Sequence, residues 1–283
     1  MLPRDASVVC SAHVKRTPRV ILLGHRGFVG SALASHLRQQ GADVLGVDRD
    51  NYRASRGAEA DLLINANGSS DKRLAERDPL AAFRANVDTL MESLSDFRYE
   101  RYMLMSSIDV YNDFGDPARN DEDVVIDPLR LSRYGLIKYM AELSVRSIAR
   151  SWLILRLGPL VGPQLKKNPI HDLLSERTLY ISPESRLSFI DTRDVAKTAW
   201  ALRTEDGVFN VAGVGTVRLA DVATAAGVDV SGIVEALPVH TYSVNVDKLR
   251  ARMSVRSSED MVRTYLAERQ GLSSDASGEG RAV

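Results

Sequence analysis

The chain has 283 residues, 44% of them hydrophobic, and its 37 Lys and Arg are matched by 37 Asp and Glu. This composition suits a globular protein with one large core or two modest ones, and zero net charge argues against a nucleic acid or an anionic membrane as its main partner. One cysteine, Cys10, excludes a disulfide framework, and five histidines without ligand spacing leave no metal site to expect.

Residues 1–17 read as a disordered leader: the uncharged run Ser7 to Val14 is short and partly polar, and Lys15 and Arg16 follow it instead of a cleavage site. Arg19 to Leu23 is a short β-branched run that suits a strand buried on both faces. It ends in the glycine turn GHRGFVG at 24–30, after which Phe28, Leu33 and Leu37 fall at helical spacing and Gly41 closes the helix. Strands follow at Asp43 to Asp48 and Asp61 to Asn65, separated by a link barely long enough for a crossover.

Pro79 to Phe97 carries Phe83, Val87, Leu90, Met91 and Leu94 on one helical face and leads into a strand at Tyr102 to Ser106. Tyr111 to Pro128 is a loop rich in Asp, Asn and Pro, the stretch 132–150 a helix, and Trp152 to Leu157 a strand stopped by Gly158 and Pro159. Later, a helix is predicted from about Asp194, its N-cap, to Arg203, and a strand at Val208 to Val211.

Alternating strands and helices predict an α/β fold, a Rossmann-type doubly wound parallel sheet. The expected division is a dinucleotide-binding domain at 18–158 that also receives segments near 187–212, and a smaller substrate-binding lobe at 159–270. Residues 271–283 are too polar to order and read as a disordered tail. No apolar stretch approaches the ~20 residues that span a bilayer, so a soluble, cytoplasmic protein is expected.

Two constellations carry chemistry. Gly24, Gly27 and Gly30 lie between strand and helix, where their amides and those of Phe28 and Val29 can receive a pyrophosphate; Asp48, ending the next strand, can accept from an adenosine ribose. A tight βα turn and a solvated acid are the plain readings of each part, and their combination favours a dinucleotide. Tyr134 and Lys138, four residues apart on one helix, share a face. The ammonium can there stabilise a phenolate and lower the tyrosine pKa, beside the hydroxyls of Ser106 and Ser107 at a strand end. Asn65, with Asn67 and Gly68, is expected to line the cofactor groove.

Together GHRGFVG, MLMSSIDVYND at 103–113, YGLIK at 134–138, LRLGPLVGP at 155–163, FIDTRDVA at 189–196 and VFNVAG at 208–213 resemble the extended short-chain dehydrogenase/reductases, in the NAD-dependent epimerase/dehydratase branch that acts on nucleotide sugars. The resemblance spans nearly the whole predicted folded chain. It implies that Ser107 and Tyr134 contact the hydroxyl or ketone being interconverted, that Lys138 holds the nicotinamide ribose, and that Asn86 supports the site. NAD is preferred to NADP because Asp48 opposes a 2′-phosphate, while Arg26, His25 and Arg49 keep NADP open. The resemblance leaves room for a homodimer.

Three departures qualify the resemblance. The link between the second and third strands lacks the strand and helix that usually contact adenine. Pro159 stands where many epimerases have an asparagine for the substrate diphosphate, so Lys166, Lys167, Asn168 or Arg186 must serve. Ile108 and Asp109 replace the Asp-Glu pair of 4,6-dehydratases, leaving Asp109 as a substrate contact and dehydration unexpected. The expected function is an NAD(P)-dependent epimerase or keto-reductase; a regulatory protein of the same fold without turnover is the alternative.

Overall fold

The computed structural model describes residues 17–231 and 237–278, without the side chains of 272–278. Residues 1–16 of the expected leader and 279–283 of the expected tail lie outside the described residues. Six strands, β1 (Arg19–Leu23), β2 (Asp43–Val47), β3 (Glu59–Asn65), β4 (Arg98–Ser107), β5 (Trp152–Leu157) and β6 (Gly207–Val211), form one sheet in the order β2-β1-β3-β4-β5-β6. Every pairing is parallel.

A parallel sheet must be covered on both sides, and the strands alternate accordingly. Val20, Leu22, Ile64 and Met103 meet Leu33 and Leu37 of the helix Phe28–Gln39 and Val195 and Ala199 of the helix Thr192–Ala201. Ile21, Leu63, Leu104 and Ile154 point the other way, toward Leu90 of the helix Thr89–Asp96 and Ile137, Ala141 and Val145 of the helix Arg133–Ile148. Burying each such side chain contributes about 1.5–3 kcal/mol.

The short link after β2 holds only the one-turn helix Tyr52–Ser55, so β2 is the edge strand and Leu45 on it is 40% exposed. A helix at Lys72–Arg77, capped by Asp71, precedes the one expected from Pro79. That second helix passes through a π segment, Arg84–Asp88. β4 starts at Arg98, four residues earlier than predicted, because its polar first turn of pleat still pairs with Glu59 and Ala60. The N-cap expected at Asp194 is instead Asp191, whose carboxylate accepts from the Arg193 amide at 2.7 Å.

Beyond β5 the chain builds short pairs: Leu160–Val161 with Ile190–Asp191, and Arg186–Leu187 between Val217–Arg218 and Thr241–Tyr242. The amide of Ser243 donates to the Phe114 carbonyl, which brings this part over the carboxyl end of β4. A final helix, Ser258–Gly278, docks Met261, Val262, Tyr265 and Leu266 into the core and runs past Gly271.

Candidate active site

Register decides where the cleft forms. Leu23 is level with Val47 on one side and Asn65 on the other, so β1, β2 and β3 end flush. Since chain order reverses direction across β1, a crevice opens there. The backbone leaves β1 through Gly24 at φ +76°, where a Cβ would also come within 2.8 Å of the Ala66 carbonyl oxygen. The Gly27 amide donates to the Gly24 carbonyl at 2.8 Å and closes the turn. A Cβ on Gly30 would collide with that same carbonyl, whereas one on Gly27 would meet only it, at 3.1 Å. Gly24 and Gly30 are therefore demanded by the protein's own backbone. Gly27, the helix N-cap, leaves space in front of the helix. The first-turn amides of Phe28, Val29 and Gly30 have no partner within a helix, so the cradle fits a pyrophosphate.

At the end of β2, Asp48 Oδ1 accepts from the Asp50 amide at 2.9 Å. Its Oδ2 is buried and accepts no hydrogen bond, although Arg26 Nε lies 3.0 Å and His25 Nε2 4.0 Å away. A buried acceptor without a donor suits a ribose hydroxyl. Burial opposes the charge of Asp48, yet the Asp50 amide and Arg26 outweigh it and hold the carboxyl below its ordinary range. Arg26 also reaches Asp50 at 3.2 Å, and Arg49 is exposed. Asn65 is buried with both ends of its amide engaged, donating to the Tyr102 hydroxyl at 2.7 Å and accepting from the Asn67 amide at 2.9 Å. Asn86 is buried too, against Gly68, where a Cβ would stand 2.6 Å from Asn86 Oδ1.

Ser107 ends β4 and caps the turn Ile108–Val110. The helix carrying Tyr134 starts directly on this turn, because Gly135 has no Cβ to collide with the Asp109 carbonyl oxygen. Tyr134 is buried and interacts with the Ser107 hydroxyl. Lys138, one turn on, donates to the Met105 carbonyl at 3.0 Å. Burial brings its ammonium down to about 8, against the pull of Glu142 and Asp109.

The phenol departs from expectation. Burial first and the Asp109 carboxylate second push Tyr134 above its ordinary value; the cation that pulls the other way is Lys72, not Lys138. Lys72 Nζ lies 5.9 Å from the Tyr134 ring centre, 2.6 Å from Asp109 Oδ1 and 3.2 Å from the Tyr242 hydroxyl. Tyr242 stacks on Phe114 with centroids 4.3 Å apart. No motif or spacing marks Lys72 or Tyr242, since their helix and strand are two short elements 170 residues apart in sequence.

The other expected substrate contacts are placed as follows. Lys166 and Arg186 are exposed, and Asn168 accepts from the His171 amide as a helix cap while donating to the Leu160 carbonyl. Ile108 turns into an apolar cluster with Val110, Tyr111 and Ile126.

The model of the NAD dependent epimerase/dehydratase family matches residues 20–212. No curated protein sequence matches the chain. Among solved structures it is similar to a UDP-galactose 4-epimerase (TM-score 0.71, 22% identity), covering 90% of this chain and 99% of that one. It is similar also to a dTDP-4-dehydrorhamnose reductase from Bacillus anthracis str. Ames in complex with NADP (TM-score 0.71, 18% identity, 89% of this chain and 99% of that one). A third is an NAD dependent NDP-hexosamine 5,6-dehydratase involved in tunicamycin biosynthesis (TM-score 0.71, 19% identity, 90% and 98%). At these identities the likeness is one of fold.

Proposed function

The chain belongs to the NAD dependent epimerase/dehydratase family, and on that premise we propose that it binds NAD(P) and oxidises or reduces a sugar carbon of a nucleotide sugar. Gly24, Gly27, Gly30 and the amides of Phe28 and Val29 hold the pyrophosphate, Asp48 the adenosine ribose, and Lys138 the nicotinamide ribose. When bound, the nicotinamide supplies or receives a hydride. Tyr134 exchanges the proton at the substrate oxygen, with Ser107 beside it. The observation that carries this reading is the seating of the Tyr134 helix on the turn after Ser107, where Gly135 abuts the Asp109 carbonyl, with Lys138 one helical turn away. A positioned acid or base of this kind speeds proton transfer by about 10²–10⁴-fold.

NAD is the preferred cofactor, because the Asp48 carboxylate repels a 2′-phosphate. A 4,6-dehydration is not proposed: Ile108 is buried among apolar side chains and offers no proton to a leaving hydroxyl. The test is to incubate the protein with NAD(P) or NAD(P)H and a panel of nucleotide sugars, recording cofactor absorbance, product stereochemistry and product mass. A stereochemical or redox change without loss of water is expected. A product lighter by one water would overturn the exclusion of dehydration, and no conversion of any nucleotide sugar would overturn the reading as a whole.

A further inference from the structure

We infer that Asp109 is a positioning residue: held by Lys72, it engages the serine hydroxyl and so leaves Tyr134 as the proton donor of the resting site. The inference rests on the reading of Tyr134 as the acid/base group. It goes beyond that reading in naming the group that fixes the proton on the tyrosine.

A hydroxyl has one proton. Ser107 Oγ donates it to Asp109 Oδ2 at 2.8 Å, and the same oxygen faces the Asp109 amide at 3.3 Å. Only lone-pair density then remains on Ser107 for Tyr134 and for substrate. A phenolate at position 134 would meet an oxygen with no proton to give it, whereas a phenol can donate. A carbonyl oxygen arriving between the two side chains finds its donor in Tyr134.

Asp109 is held in this orientation from three parts of the chain. Lys72, on the helix after β3, grips its other oxygen and also binds the Tyr242 hydroxyl, and Tyr242 is braced by its stack on Phe114. Asp109 and Lys72 face the phenol from outside its helix, and His240 stacks behind Tyr242. On the helix itself the charged neighbours are Lys138 and Glu142. Lys138 spends a proton on the Met105 carbonyl, and Glu142 is paired with Arg156. The burial of Tyr134 acts in the same direction as Asp109.

As a reduction the step would balance: a bound reduced nicotinamide would supply the hydride for the new C–H bond as the carbonyl π bond opens and would itself be oxidised, while Tyr134 gives its proton to the oxygen and recovers one from solvent.

The test needs no cofactor. Protein labelled with a fluorinated tyrosine, whose phenol is more acidic than the natural one, is titrated by fluorine NMR, with the Tyr134 signal identified by its loss in Tyr134→Phe. Asp109→Asn is expected to lower the ionisation midpoint of Tyr134 by about one pH unit or more, and Lys72→Met to raise it. Asp109→Glu should keep the midpoint near that of the parent protein. A midpoint in Asp109→Asn at or above the parent's overturns the positioning role, and the Lys72 variant decides if the asparagine variant does not fold. Absence of conversion of any nucleotide sugar by the parent protein rejects the underlying catalytic reading instead, and the NMR midpoints still decide whether Asp109 positions the pair.

Discussion

Arg156 and Glu142 face each other wholly inside the protein, with Nη2 2.8 Å from Oε2 and Nε 3.0 Å from Oε1. Ser106 Oγ donates to the same carboxylate at 2.6 Å, so Glu142 joins the ends of β4 and β5 to the helix that bears Tyr134 and Lys138. Residues 134, 138 and 142 fall on one face of that helix, and the alignment of the site depends on what Glu142 holds. Arg156→Met leaves the carboxylate buried without its main partner and should cost about 3–5 kcal/mol in urea melts. The double variant Arg156→Met with Glu142→Leu should recover much of that loss, because the orphaned charge is gone.

The glycine turn separates folding from binding. Gly30→Ala drives a Cβ into the Gly24 carbonyl and should destabilise the fold by about 2 kcal/mol or more. Gly27→Val meets its neighbour at 3.1 Å, in an extended conformation that valine accepts. It should fold with a smaller loss, while its side chain fills the space required by the pyrophosphate. Circular dichroism and NAD(P) titration read the two effects; tight binding by a folded Gly27→Val protein would remove the turn from the cofactor site.

On the proposed reading, cofactor choice turns on Asp48. Its Oδ2, ion-paired with Arg26 but without a hydrogen bond, is the proposed acceptor for a ribose hydroxyl. Asp48→Ala removes the acceptor and frees the guanidinium for a 2′-phosphate. The ratio of NAD to NADP affinity should move toward NADP by roughly tenfold or more. An unchanged ratio in binding titrations would place the discrimination elsewhere.

Lys138 sets a pH dependence of stability. Burial lowers its pKa from 10.5 to about 8 in the folded protein, so between those values the unfolded chain binds the extra proton. Stability must therefore rise with pH across that window, and the opposition to folding is fully present below pH 8. Melts of the parent protein and Lys138→Met, compared from pH 7 to 10.5, should show the parent gaining on the variant as pH rises. Parallel curves would mean that Lys138 is not buried as a charge.

The strand, turn and helix signals were legible because they are local. Arg19 to Leu23, the glycines and the Tyr134–Lys138 spacing each declare themselves within a few residues. The short link after Asp48 likewise left no room for an added strand and helix, and only the one-turn helix Tyr52–Ser55 stands there. What could not be read is set by contacts distant in sequence: Lys72 with Asp109 and Tyr242, and the docking of Met261 and Leu266 that makes a helix of Ser258–Gly278. Gly135 appeared only as a spacer between Tyr134 and Lys138. Its reason, the close approach to the Asp109 carbonyl, exists only once the turn after β4 is in place.

The most direct measurement is the effect of Tyr134→Phe on nucleotide-sugar conversion, followed by product NMR beside an independent NAD(P) titration. The parent protein should convert at least one nucleotide sugar in the presence of cofactor. The phenylalanine variant should bind NAD(P) within a few-fold of the parent and turn over about 10²–10⁴-fold more slowly. Full activity in Tyr134→Phe, or no conversion by the cofactor-loaded parent, would contradict the assignment of Tyr134 as the acid/base group of a nicotinamide-dependent sugar enzyme.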